Sequence, residues 1–397
     1  MANNKKTLSP ALRGALYYTI FFGVVGTYFA YLNVTYLSRG LNGVQIGILN
    51  AVGSLMILLS GPFLSNLADK RGWHRQILFF SHLIFGLSIL GLHFTSNFVM
   101  MILIIATGAL FSGPLFPLSD MMVVKMSNRY NLDFGRIRIW GSIGFFIVCS
   151  FMGQVWDAIG LQNLFLIGGI LFTLRAASTF LLDPIGKVEH DPNESMPENN
   201  NAFGVILKDG HFLLFLLAVL LWASCWNTFF AYASIHLDQL GGTSLLVGMM
   251  MSLSALGEVP SVFLADRVFR RFGYFRVFIA SVFAFIVIMI AVARITNPTV
   301  MVIVNGFRGI GFGFFIVGGV RYVDQYAPRI HSGTYQSFYS IITYTVPNLV
   351  AMPLMGYLFD NFTIQHVFTA EIIIGFLAMT LFGYLYWQEK QQKAAVI

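Results

Sequence analysis

Long apolar runs alternate with short polar connections along this chain. A helix needs about 20 apolar residues to cross the hydrocarbon core of a bilayer. Twelve runs meet that length, near 14–37, 44–66, 76–95, 98–124, 136–156, 162–183, 212–236, 244–264, 275–295, 299–320, 334–358 and 365–387. The predicted fold is an all-α membrane protein with twelve transmembrane helices. Most connections are short. The exception, residues 184–210, is Asn/Pro/Glu-rich and sits at the midpoint of the chain. It reads as a central linker between two six-helix halves, residues 1–183 and 211–397.

Composition agrees with this reading. Hydrophobic residues make up 57% of the chain and charged ones 10%, against roughly 25% charged in a soluble domain. The net charge of +7 is explained by topology and calls for no nucleic acid or acidic partner. With the N-terminus inside, lysines and arginines fill the cytoplasmic loops near 70–75, 125–129, 187–208, 267–276 and 329 and both tails, whereas the outside carries only Arg39 and Arg294. Both termini are expected in the cytoplasm, with the chain in the bacterial cytoplasmic membrane. The first residues, "MANNKKTLSPALRG", lack a signal-peptide cleavage site and read as a cytoplasmic tail. Cys149 and Cys225 lie in apolar stretches without metal or redox spacing and read as packing residues.

An internal repeat supports the two halves. "LADKRGWHRQ" (67–76) joins the second and third spans, and "LADRVFRRFG" (264–273) joins the eighth and ninth. Paired six-helix repeats are the architecture of many secondary transporters, with the substrate site near the midplane. The loop resembles the cytoplasmic motif of the major facilitator superfamily, G-x-L-A-D-R-x-G-R-K/R. Ser65 replaces its first glycine and Trp73 its first basic residue. The resemblance implies a gating latch built from Asp69, Gly72 and Arg75, repeated at Asp266 and Arg270. The bland alternative is loop charges near helix ends.

Ionisable residues inside spans are costly and usually face a cavity or a partner. Asp120 and Arg138 lie at matched depth, each about 8 Å into adjacent antiparallel helices, so a pair is expected. Arg136, about 200° around the helix from Arg138, should face elsewhere. Pro114 and Pro117 should loosen the fourth span near Asp120. The segment "PLSDMMVVKMSNRYNLDFGRIRIWGSIGF" resembles the matching hairpin of the lactose permease and 3-phenylpropionate permease branch. That resemblance implies substrate binding by Asp120 and Arg138. A structural ion pair clamping two helices is the alternative.

Glu258, in "LSALGEVPSV", lies about 12 Å deep in the eighth span. Desolvation lets such a carboxyl exchange protons near neutral pH, and the branch implies a proton-coupling role for it, shared with Asp120. Gly257 and Pro260 suggest a broken, cavity-lining helix; a protonated packing glutamate is the alternative. Arg308, in "VNGFRGIGFG", is expected either to bind an anionic group of the substrate or to partner Glu258. Here the chain departs from lactose permease: the Lys, His and Glu of that protein's tenth span correspond to Asn305, Arg308 and Gly311, so its proton relay cannot be carried over. Tyr28, Phe145, Trp226 and Asn227 are candidate lining residues, although any single aromatic in so aromatic a chain is as readily packing. Arg175, Arg321, Asp324 and Glu371 read as structure, gating or topology.

These features predict a proton-coupled importer of a small organic solute, a glycoside or an aromatic carboxylate, working by alternating access. Its partners would be substrate, protons and lipid; a monomer is expected. An exporter or a uniporter is the alternative; the fifth span lacks the proline-containing motif of exporters. Nothing predicts catalytic residues, a metal site or a cofactor, and no histidines have HExxH-type spacing.

Overall fold

The computed structural model describes residues 8–186, 202–328 and 331–395. Lys5, Lys6, Lys187, Arg329 and most of the predicted central linker lie outside the described residues. Within them are twelve helices long and apolar enough to cross a membrane. They are α1 (Pro10–Ser38), α2 (Gly43–Arg71), α3 (His74–His93), α4 (Phe98–Arg129), α5 (Phe134–Ile159), α6 (Leu161–Leu181), α7 (Gly210–Gln239), α8 (Ser244–Phe272), α9 (Tyr274–Arg294), α10 (Pro298–Tyr326), α11 (Ser332–Asn361) and α12 (Ile364–Gln391). The predicted spans all appear. The helices run past several predicted ends, α2 and α4 continuing through charged residues to Arg71 and Arg129, because hydrocarbon thickness limits only the apolar part.

The turns carry the start signals expected of helices. Asn97, Asp133, Asp209, Thr243 and Asn297 each accept a hydrogen bond from a first-turn amide of the helix that follows. Four spans are irregular. α1 turns after Tyr28, α4 breaks at Gly113–Pro114, α10 breaks at Phe307, and α11 holds a π-helical turn over Ile341–Thr345. The α4 break is where the prolines predicted it. The break predicted near Pro260 is absent: α8 runs unbroken from Ser244 to Phe272. Gly257 serves close packing instead, since a Cβ there would lie 2.6 Å from the Gly306 carbonyl oxygen of α10.

Two compact units emerge. One contains Thr35 and the residues before it together with Leu55 onward through α6; the other contains Tyr36–Ser54 and α7 to α12. In the first unit, α1 crosses α5 closely. A Cβ on Gly144 would sit 2.6 Å from the Thr19 carbonyl oxygen, so only glycine permits the approach. In the second unit, α8 and α10 cross the same way at Gly309. Large apolar side chains such as Phe63, Phe151, Phe263 and Leu354 stay exposed on the helices, a surface that lipid satisfies and water does not.

The second unit also contains a cap from a distant part of the chain. Asp360, at the end of α11, accepts hydrogen bonds from the amides of Gly43 (2.5 Å) and Val44 (2.8 Å) at the start of α2. A carboxylate there meets the positive end of the helix dipole. Asp360→Ala is expected to cost about 1 kcal/mol, read as a lowered unfolding temperature in detergent, whereas Asp360→Asn should recover most of it.

Candidate functional site

Two clusters of intramembrane charge form, one in each unit. In the first, Asp120 on α4 accepts a hydrogen bond from the Tyr18 hydroxyl of α1 at 2.6 Å. Arg138 on α5 does not reach Asp120: no ion pair joins them among the described residues. Its guanidinium lies 4.1 Å from the Phe22 ring centroid and 5.2 Å from that of Tyr18. The expected direct pair is replaced by a bridge in which Tyr18 bonds Asp120 through its hydroxyl and meets Arg138 through its ring face. The reason is steric: α1 crosses α5 so closely that Phe22 and Tyr18 occupy the space beside Arg138, and a Cβ on Gly141 would already meet Phe22 at 2.7 Å and Arg138 at 3.0 Å. Arg136 points away as expected, 89% exposed and 3.6 Å from Asp133.

Below this layer, Arg175 of α6 is buried, not snorkelling. It donates to the Phe21 carbonyl at 3.1 Å and lies 4.4 and 4.5 Å from the ring centroids of Phe21 and Phe172. Aromatic faces stand in for the missing carboxylate, worth about 2 kcal/mol each when desolvated. Tyr28 is buried at the same level, packed on Phe29, Phe165 and Phe172; in this structure it is a packing residue. Phe145 is half-buried on α5, and its backbone carbonyl faces Gly26 of α1.

The second cluster centres on Arg308. The α10 break at Phe307 makes Arg308 the first residue of a new helical segment, whose start favours negative charge. Arg308 is 2% exposed. Its Nη2 donates to the Ser254 hydroxyl of α8 at 3.1 Å, and its guanidinium lies 4.1 Å from the Trp226 ring centroid. Nε and Nη1 have no hydrogen-bond partner. Trp226 stacks on Phe312 at 3.7 Å, and Trp222 on Phe315 at 3.8 Å, with planes within 13° of parallel. The result is a flat aromatic wall ending at a guanidinium with free donors.

Glu258 is half-buried on α8, one turn beyond Ser254. It interacts electrostatically with Arg308 but forms no ion pair with it. Asn227 spends its amide on structure, donating to the carbonyls of Ala223 and Thr343, the latter within the π-helical turn of α11.

The two latch loops are both tied down. Asp69 pairs with His74 at 2.9 Å, Gly72 turns with φ +69°, and the Arg75 guanidinium lies 5.5 Å from the Phe180 ring centroid. In the second unit, Asp266 pairs with Arg321 from the end of α10; Arg270 lies one turn beyond Asp266 on α8 without joining that pair. Near the first latch, Asp183 follows α6. Burial pushes its carboxyl up, but the Arg13 guanidinium bonded at 2.7 Å holds it below the usual carboxylate range.

Sequence reasoning missed Tyr18 and Ser254, which touch the central charges directly. Tyr18 lies ten residues before Tyr28, the α1 residue singled out from the sequence, and Ser254 is one serine among several on α8. The four-residue step from Ser254 to Glu258 on one helix face is a signal for Ser254 alone; Tyr18 had none.

The family model described as the MFS_1 like family matches residues 12–370. The chain is 24% identical over 355 residues, covering 89% of it and 86% of the relative, to the uncharacterized transporter YwbF of Bacillus subtilis (strain 168). It is 23% identical over 384 residues to the maltose permease of Geobacillus stearothermophilus, covering 95% and 94% of the two chains. A crystal structure of the nucleoside transporter NupG superposes with a TM-score of 0.84 at 18% identity, covering 96% of this chain and 99% of that one. With twelve apolar helices, repeated latch loops and a family match over most of its length, the chain belongs to the MFS_1-like family of major facilitator transporters.

Proposed function

We propose that this transporter is a proton-coupled symporter that takes up a small organic solute bearing an aromatic ring and a carboxylate. It works by alternating access of two six-helix halves in the bacterial cytoplasmic membrane, as a monomer with both termini inside. The observation that carries the reading is Arg308. A buried guanidinium with two unpartnered donor atoms is costly unless a ligand acceptor completes it. A carboxylate matches its planar fork, and a flat ring fits the wall of Trp226 and Phe312. In the first unit, Arg138, with Asp120 and Tyr18, is a substrate-binding group in this reading.

Coupling follows from competition for Arg308. Without solute, the Arg308 charge favours the carboxylate form of Glu258. When a solute carboxylate takes Arg308, Glu258 loses that compensation and takes up a proton. Asp120, bonded to Tyr18, is the second proton-linked candidate. The latches at Asp69, Gly72, Arg75, Asp266 and Arg270 hold one cytoplasmic gate state.

The test is uptake into proteoliposomes of labelled 3-phenylpropionate, maltose and uridine, with and without an acid-outside gradient, against protein-free vesicles. The aromatic acid is expected to accumulate only with the gradient and the protein, and Arg138→Ala to lower the rate roughly tenfold or more. Equilibration insensitive to the gradient would make the protein a uniporter, and outward movement an exporter. A glycoside is the second reading, favoured by the likeness to maltose permease; selective maltose accumulation would establish it.

A further inference from the structure

The second unit holds another set of buried polar groups that solute binding does not use. Glu371 lies on α12, about 10 Å along from its start at Ile364. It is 0% exposed, and neither carboxyl oxygen has a hydrogen-bond partner. An ionised carboxylate left so would cost several kcal/mol. Sequence position alone places this residue at a helix end, of topological interest only.

The helix facing it is equally unusual. On α7, Cys225, Thr228, Tyr232 and His236 recur at three- and four-residue steps, which align them on one face. All four are buried, none more than 4% exposed. The Cys225 thiol donates to the Glu371 backbone carbonyl at 3.1 Å, which fixes this face against Glu371. The Thr228 hydroxyl lies beside the carboxyl while donating to the Ser224 carbonyl at 2.7 Å. The Tyr232 hydroxyl has no hydrogen-bond partner, and the His236 ring nitrogens have none beyond the nearby Val292 backbone of α9. His236 packs on Phe368, one turn before Glu371, at 5.3 Å between ring centroids.

This stripe reaches a cavity. A hollow of about 450 Å³ opens at the end of α7 and is lined by His236, Gln239, Leu240, Phe359, Thr363 and Gln365. Counting inward from it, His236, Tyr232 and Glu371 follow in order, each with unsatisfied polar atoms. Each such atom costs about 1–3 kcal/mol in a packed interior. A run of them between a cavity and a buried acid is the arrangement of a hydrated path.

Other charges near the path are accounted for. From α9, the face meeting α12 is apolar, Ile286 and Met289 lying against Gly375, and the Val292 backbone lies near the His236 ring; Arg294 closes that helix at its end. From α11, the Asp360 carboxylate is held by the amides of Gly43 and Val44. On α7 itself, Asp238 is exposed.

We infer that Glu371 is a proton-binding carboxyl, separate from Glu258, reached from the cavity at the end of α7 through His236 and Tyr232. His236 takes a proton on one ring nitrogen from cavity water and releases one from the other. The Tyr232 hydroxyl passes a proton inward, and a Glu371 carboxylate oxygen accepts it, giving the neutral acid. The steps between these residues, about 6 Å for one turn of α7, are spanned by water. Positive-inside counting puts this cavity outside, so the path would load protons from that side. Its use in transport rests on the proposed coupling; the proton site itself does not.

The test needs no solute. Wild type, Glu371→Gln, His236→Phe and Tyr232→Phe are compared in lipid nanodiscs by infrared spectroscopy of protonated carboxyl groups after transfer to D2O. A carboxylic acid band is expected in wild type and missing from Glu371→Gln. In His236→Phe and Tyr232→Phe the band should persist but shift to its deuterated position roughly tenfold more slowly or worse. An unchanged band in Glu371→Gln overturns the proton site. Wild-type exchange in either phenylalanine variant overturns the path. Failure of symport with the infrared result intact would sink only the coupling.

Discussion

Gly309→Ala is expected to destroy the fold of the second unit. A Cβ at that position would overlap the Ser254 carbonyl oxygen and lie 2.9 Å from the Glu258 amide nitrogen. Both are backbone atoms of α8, so no rotamer change relieves the clash. The helices must move apart, and with them Arg308, Ser254 and Glu258. Ordinary overpacking of a core costs about 1–3 kcal/mol; a backbone collision should exceed it. Gly383→Ala is the control, because a Cβ there meets nothing within 4 Å and alanine favours helix by about 0.5–1 kcal/mol. Unfolding temperatures in detergent should separate the two variants widely. A Gly309→Ala midpoint within about 2 °C of wild type would show that the α8–α10 crossing is looser than described.

The second large effect divides activity from stability. Arg308→Met is expected to reduce solute uptake by roughly a hundredfold or more, since two charge-assisted contacts to a ligand are lost. The same variant should unfold at the wild-type temperature or above it. Removing Arg308 relieves the cost of burying a charge without an ion pair, and Glu258 can take a proton in its absence, so the losses of the Ser254 and Trp226 contacts are offset. Arg308→Lys should not restore uptake, because a point charge cannot keep the flat stack on Trp226 and the fork to a carboxylate together. Uptake by filter assay and thermal unfolding on the same preparation check both halves. Loss of both together would make Arg308 a structural residue.

Much of the fold was legible in the apolar runs, because hydrocarbon thickness imposes one length on every span. The break in α4 was legible too, from Pro114 and Pro117. What remained hidden depended on how helices approach one another. Asp120 and Arg138 stand at equal depth, which suggested a pair, but depth says nothing of the aromatic side chains that α1 inserts between them. Gly257 and Pro260 suggested a break in α8; the break fell in α10, because Gly257 is needed for contact and the chain yields at Phe307. Depth also misjudged Glu371, whose neighbours on α7 lie some 140 residues away in sequence.

Glu258 carries the central claim, that uptake is driven by protons. The direct measurement compares solute exchange and gradient-driven accumulation for Glu258→Gln in the same vesicles. Glutamine keeps the shape and the hydrogen bonding of the neutral acid but cannot release a proton. Exchange of labelled for unlabelled solute across the membrane should persist, while accumulation under an acid-outside gradient falls to equilibration. Accumulation at the wild-type level in Glu258→Gln would contradict the account, because the proton would then be carried elsewhere.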